Sequence, residues 1–160
     1  MEKQLWQEVE KGNVAEVEEI LRNHPTIKIN WRNHERNGRT AFHEACINGH
    51  SSSVSLLLAH PDINVNQKDK NGATALLIAC RRGYALCARL ILKDSRVQVK
   101  QPNNDGYTPL WHAASRGCLD IIQWCIASAK EMDLGQPGDK KTDAIGVATR
   151  CQWSEIVACS

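Results

Sequence analysis

Apolar residues recur along the chain in short sets at helical spacing, and polar stretches separate one set from the next. Val54, Leu57 and Leu58 form one set, Cys87, Leu90 and Ile91 a second, and Ile121, Ile122 and Cys125 a third. Spacings of three and four residues predict helices with one buried face. A shorter helix is expected before each, carrying paired small residues: Ala45 with Cys46, Ala79 with Cys80, and Ala113 with Ala114. Small side chains there let a neighbouring helix approach closely. Gly49, Gly83 and Gly117 follow and are expected to end these first helices, as Gly does at a helix C-terminus.

The pattern is periodic. Asn37 opens NGRTAFHEACINGH, Asn71 opens NGATALLIACRRGY and Asp105 opens DGYTPLWHAASRGC, which align without gaps at an offset of 34. Thr40, Thr74, Thr108 and Thr142 share that offset. Asn-Gly and Asp-Gly are tight-turn signals, because Gly accepts positive φ. The Thr two residues later can cap the helix that follows. Each unit is thus a turn and two antiparallel helices.

The ends depart from this regularity. Gln4 to Asn23 keeps the helix–Gly–helix skeleton, with Gly12 between the helices, but is rich in charge and lacks the leading turn. It is expected to be a capping unit with one polar face, which a stacked repeat array needs for solubility. The connection after it is three residues longer than the later ones. In the last unit Cys151 stands where Gly is expected, and the sequence stops at Ser160 inside the expected second helix. That arrangement predicts an uncovered apolar side, left by truncation of a longer chain or covered by another molecule.

These units resemble the ankyrin repeat, whose T-P-L-H-x-A core stands here as TAFHEA, TALLIA and TPLWHA. The tetratricopeptide repeat has the same period but lacks the turn before each unit. The resemblance implies an all-α fold, an ankyrin-repeat solenoid of stacked helix-turn-helix units with β-turn or hairpin tips. The expected division is a capping repeat at 1–34, repeats at 35–68, 69–102 and 103–136, and a partial repeat at 137–160. The family His, which bonds neighbouring loop backbone, falls on His43. Leu77, Trp111 and Ile145 replace it in later units, so that ladder is expected to be broken.

Composition narrows the chemistry. The 160 residues are 42% hydrophobic and 24% charged, with one Phe, so the core must be aliphatic, Ala and Cys. A net charge of +2 does not call for a polyanion, and charge matters only through its placement. No secretory signal or run of about 18 apolar residues is present. Seven cysteines without an export signal read as reduced thiols in an intracellular protein, cytoplasmic or nuclear. Cys46, Cys80, Cys87, Cys125 and Cys159 are expected in the core, with Cys118 and Cys151 more exposed. No zinc-type spacing, phosphate-binding glycine loop or buried carboxylate pair stands in the sequence, so no metal, cofactor or catalytic residue is expected. His112 and Asp120 beside Cys118 are the one conceivable nucleophile system, and no helix N-terminus or triad order supports it. Trp6 and Trp124 are expected in the core, Trp111 half-buried, and Trp31 either packed on the cap or exposed as an anchor.

The family binds partners with its turn tips and the outer positions of its first helices. Carried over by position, the tips give Arg36, Asn37 and Arg39, then Lys70, Asn71 and Ala73, then Asn104, Asp105 and Tyr107. The first helices give Ile47 and Asn48, Arg81 and Arg82, Ser115 and Arg116, and in the last unit Thr149 and Arg150. Equivalent residues stack about 10 Å apart, so Arg82, Arg116 and Arg150 are expected to form a basic column, with Arg81 and Lys70 beside it and Tyr107 at its edge. Unpartnered like charges in a row point to an acidic ligand; a solvated face is the plain alternative. The expected function is a non-enzymatic protein–protein interaction module, a monomer unless the open C-terminal end pairs. Nucleic acid or a phosphorylated ligand on the same column is the rival, and a targeting segment of a longer enzyme is a third reading.

Overall fold

The computed structural model describes residues 1–128. Eight α-helices follow one another in it: α1 (Glu2–Lys11), α2 (Val14–Asn23), α3 (Ala41–Asn48), α4 (Ser51–Leu58), α5 (Ala75–Arg82), α6 (Ala85–Leu92), α7 (Pro109–Arg116) and α8 (Leu119–Ser128). They form two layers. The inner helices α1, α3, α5 and α7 pack each on the next, and the outer helices α2, α4, α6 and α8 do the same behind them. Expected and observed helices coincide over this region, and no strand occurs among the described residues.

Each inner helix is bounded as its sequence dictates. Thr40, Thr74 and Thr108 are extended N-caps whose hydroxyls accept the N–H of His43, Leu77 and Trp111. Such a cap contributes about 1 kcal/mol. At the other end Gly12, Gly49, Gly83 and Gly117 adopt left-handed φ between 69° and 77°. Those glycines are also contact points. A Cβ on Gly12 would stand 2.7 Å from the His50 ring, and one on Gly49 3.0 Å from the Tyr84 ring. The residue after one unit's glycine therefore packs on the glycine of the unit before it.

The core is aliphatic and thiol-rich. Ala45, Cys46, Ala79, Cys80, Ala113 and Ala114 are wholly buried between inner helices, and Val54, Leu57, Ile91 and Ile121 fill the space behind them. Trp6 is buried with them, whereas Trp31, Trp111 and Trp124 only pack partly against this core. Trp124 packs on the core without being fully buried, and Arg89 lies over its ring at 5.6 Å. Cys46, Cys80, Cys87 and Cys125 are free and buried, and Cys118 is half-buried. Burial pushes the Cys46 thiol well above its ordinary range, which suits packing and not nucleophilic chemistry. Cys151, Cys159 and the expected open C-terminal face lie outside the described residues.

The tips are organised by a feature the turn signals did not reveal. Asp69 Oδ1 accepts the N–H of Asn71 at 2.8 Å and of Ala73 at 2.9 Å. Asn103 Oδ1 does the same for Asp105 and Tyr107, both at 3.0 Å. Asn33 holds the first tip, which is longer, so a 3₁₀ turn at His34–Arg36 and a left-handed Asn37 absorb the extra residues. Successive tips are then stitched: Lys70 N–H donates to Asn37 O at 3.0 Å, and Asn104 N–H to Asn71 O at 2.9 Å. His43 joins in, its Nδ1 accepting Thr40 N–H at 3.1 Å while its Nε2 reaches Ala73 O at 3.1 Å. Leu77 carries no ring nitrogen at the equivalent place, so the ladder is interrupted there as the sequence predicts; Ile145 lies outside the described residues.

Asp69 has a side chain only 1% exposed. It also accepts Asn37 Nδ2 at 3.2 Å. Replacing it with Ala leaves three buried or half-buried donors unmatched, at about 1–3 kcal/mol for each that stays dry. Asp69→Ala is expected to lose at least twice the stability that Asn103→Ala loses, measured as urea midpoints at constant slope; equal losses would remove Asp69 from its central role.

Candidate functional site: the concave face

The exposed surface of the inner helices and the tips forms one continuous face, because each element repeats at the same height in the next unit. Four rows run along it. Arg39, Ala73 and Tyr107 line the tip row; Glu44, Ile78 and His112 the first inner-helix row; Ile47, Arg81 and Ser115 the next. Asn48, Arg82 and Arg116 follow at the helix ends.

The sequence-selected residues fall into three groups. Arg36, Asn48, Lys70, Asn71, Arg82, Asn104, Asp105, Ser115 and Arg116 are exposed on this face. Asn37, Arg39, Ile47, Arg81 and Tyr107 are half-buried, Ile47 packing on the core and Tyr107 on Trp111 at 4.3 Å between ring centroids. Ala73 departs from expectation: it is only 1% exposed, because its N–H is held by Asp69 and its carbonyl by His43. It is a structural floor between Arg39 and Tyr107, and no side-chain contact is available there. Thr149 and Arg150 lie outside the described residues.

Charge is distributed unevenly. In the first half of the face Arg36 Nη2 lies 3.4 Å from Glu10, and Arg39 Nε lies 3.9 Å from Asp69. Arg81, Arg82 and Arg116 have no carboxylate within 4 Å among the described residues. All three stand at the last turns of α5 and α7, where helix carbonyls favour cations by about 0.3–1 kcal/mol. Arg116 also lies back over the neighbouring unit: a Cβ on Gly83 would stand 2.9 Å from its Nε. It occupies the place that His50 and Tyr84 take in earlier units, since the aligned Cys118 is too short to reach. The column therefore contains one solvated guanidinium, Arg82, and one folded onto a helix end.

Three polar atoms on this face lack hydrogen-bond partners among the described residues. Glu44 is 5% exposed; its Oε1 accepts Asn48 Nδ2 at 3.3 Å, and its Oε2 has no donor. Arg39 Nε and His112 Nε2 are buried without hydrogen-bond partners. Burial raises the Glu44 pKa, with Arg39 opposing it. Burial and then the charge of Arg81 push His112 down to about 4, so its imidazole is neutral at physiological pH. Burial, and next the neighbouring Arg82, also lower the Arg81 pKa. The sequence reading passed over Glu44 and left His112 to an enzymatic alternative. Their shared register, one place after the family His, was the available signal.

No group of three or more His, Cys, Asp or Glu close enough to hold a metal occurs among the described residues. Asp120 is exposed, while His112 packs against Trp111 and Tyr107, at 5.2 and 5.8 Å. What the face offers is guanidinium donors, an aromatic edge and polar tips, which is the chemistry of recognition.

The shifted groups act on stability with opposite sign. His112 has its folded pKa below the unfolded value of 6.5, so its contribution is present above pH 6.5 and lost as pH falls through about 4. Glu44 has its folded pKa above 4.5, so its contribution is present below pH 4.5 and lost as pH rises through the folded pKa. Glu44→Gln is expected to stabilise the protein by about 0.5–1 kcal/mol at pH 7, with the gain gone by pH 4. His112→Gln is expected to flatten the decline between pH 6.5 and 4. Urea unfolding across this range measures both; a Glu44→Gln gain equal at pH 4 and pH 7 would refute burial of its charge as the cause.

The model of the family described as Ankyrin repeats (3 copies) matches residues 5–101 and, in a second overlapping match, residues 42–137. No curated protein matches the chain. With the capped helix pairs, the left-handed glycines and the stitched tips, that match assigns the chain to the ankyrin-repeat family.

Proposed function

We propose that this chain is a protein–protein interaction module that holds an acidic segment of a partner protein on its concave face. Ankyrin repeats serve generally as protein-interaction modules and are typically non-enzymatic, and no described helix is long and apolar enough to cross a membrane. The finer reading rests on one observation: the second half of the face carries three arginines with no carboxylate within 4 Å among the described residues, whereas the arginines of the first half are matched by Glu10 and Asp69. The proposed contact surface is Arg36, Asn37 and Arg39, Ile47 and Asn48, Lys70 and Asn71, Arg81 and Arg82, Asn104, Asp105 and Tyr107, Ser115 and Arg116. Thr149 and Arg150 extend it by register. Uncompensated charge of one sign steers and selects an oppositely charged partner. The five free thiols among the described residues fit a reducing intracellular compartment.

Affinity capture with the intact chain beside an Arg82→Glu, Arg116→Glu variant tests this. Both side chains are exposed, so the variant is expected to keep its circular dichroism and lose the captured protein. A protein retained equally by both places binding on another face. Retention of nucleic acid, with a steep loss as salt rises, would replace the protein partner with a polyanion.

A further inference from the structure

We infer that Arg81 seats a carboxylate side chain of an acidic peptide segment, between Arg39 and His112, and is the main anchor on the concave face. This rests on the concave-face reading above and relocates its centre, since the sequence pattern alone puts the anchor on Arg82 and Arg116.

Three observations carry it. First, Arg81 is half-buried and has no carboxylate within 4 Å among the described residues, whereas Arg82 is exposed to water. The counter-charge acting on Arg81 is Asp69, which is already held by Asn71, Ala73 and Asn37 and by Arg39. A guanidinium partly removed from water and without its own anion gains more from a carboxylate than a solvated one, because the surrounding dielectric is lower. Second, groups beside it lack hydrogen-bond partners among the described residues: His112 Nε2, and Arg39 Nε, whose ion-pair partner Asp69 stands 3.9 Å away. His112 is close enough for the charge of Arg81 to act on it. Third, His112 belongs to an aromatic cluster: the rings of Tyr107 and Trp111 pack tilted and edge-on against it, at 5.8 and 5.2 Å between centroids. Arg116, folded onto Gly83, is less free to reach a ligand.

A carboxylate reaching Arg81 accepts from its guanidinium and, once Arg81 turns toward it, from the neutral His112 imidazole. An aliphatic stem packs on the aromatic cluster, which favours a flexible acidic side chain on an extended segment.

The test uses the full chain, labelled with ¹⁵N and ¹³C, titrated with a hexaglutamate peptide, with hexaglutamine as neutral control. The His112 ring resonances, assigned through His112→Gln, and the Arg81 Nε–H report locally. Hexaglutamate is expected to shift both, and hexaglutamine neither. Arg81→Gln is expected to weaken binding at least tenfold, Arg81→Lys to restore part of it, and Arg116→Gln to weaken it less than Arg81→Gln does. If hexaglutamate binds but the shifts gather on Arg82 and Arg116 and Arg81→Gln is without effect, the seat is wrong while the acidic-partner face stands. If hexaglutamate does not bind at all, the carboxylate seat is overturned, and the capture comparison separately decides whether the face binds protein. Equal shifts from inorganic phosphate at the same concentration would also overturn it, by showing a general anion site.

Discussion

A helix pair such as α3 and α4 is apolar on both of its flanks and can hide neither by folding on itself. Burial comes only from the next pair, so contact between successive inner helices is what the fold stands on. That contact requires small residues at fixed places, and Ala45, Ala79 and Ala113 supply them with no residual exposure. It also requires the units to rise at one angle, which the glycines at the helix ends set. His50 packed on Gly12 and Tyr84 packed on Gly49 show how little room there is: neither glycine could carry a Cβ without moving its neighbour. Once adjacent units are held at this distance, the tips lie near enough to exchange backbone hydrogen bonds, and the rows of the concave face follow.

That dependence explains which parts of the molecule were legible in the sequence. A 34-residue offset is a statement about stacking, so the helices, caps and stops could be read from it directly. The tip architecture was harder, because Asn33, Asp69 and Asn103 look like ordinary turn residues. Only coordinates show Asp69 to be a buried acceptor for three donors. The burial of Ala73 was hidden for the same reason. A tip position is exposed on average, yet here both backbone groups are consumed, one by Asp69 and one by His43. The concave face was legible as a surface but not as a set of energies. Register identifies Arg82 and Arg116 as neighbours; it cannot say that Arg116 folds onto Gly83 because Cys118 leaves that place empty.

The irregular repeats also account for the asymmetry of charge. Glu10 sits in the capping unit, whose polar composition serves solubility, and it happens to neutralise Arg36. Asp69 is present to organise a tip and incidentally meets Arg39. The corresponding tip residue of the next unit is Asn103, which performs the same backbone task without a charge. Arg81 and Arg82 have no carboxylate within 4 Å among the described residues, and Asp105 of the next tip is exposed. The face is thus compensated at one end and not at the other.

The row Glu44, Ile78 and His112 sharpens the functional argument, because it contains its own control. Ile78 is fully buried there and leaves nothing unsatisfied, so the fold asks only for an apolar residue at this height. Glu44 and His112 occupy the same height, and both are held against their natural ionisation by burial. Replacing a poorly satisfied buried charge with an apolar residue is commonly neutral or stabilising, which makes these two positions departures from what packing prefers. Arg81, in the adjacent row where Ile47 serves the second unit, is a third departure of the same kind. Local rules broken together on one face, and kept in the equivalent places elsewhere, mark groups that serve something other than the fold. On this face the missing counterpart is an anion for Arg81, which the proposed acidic partner would supply.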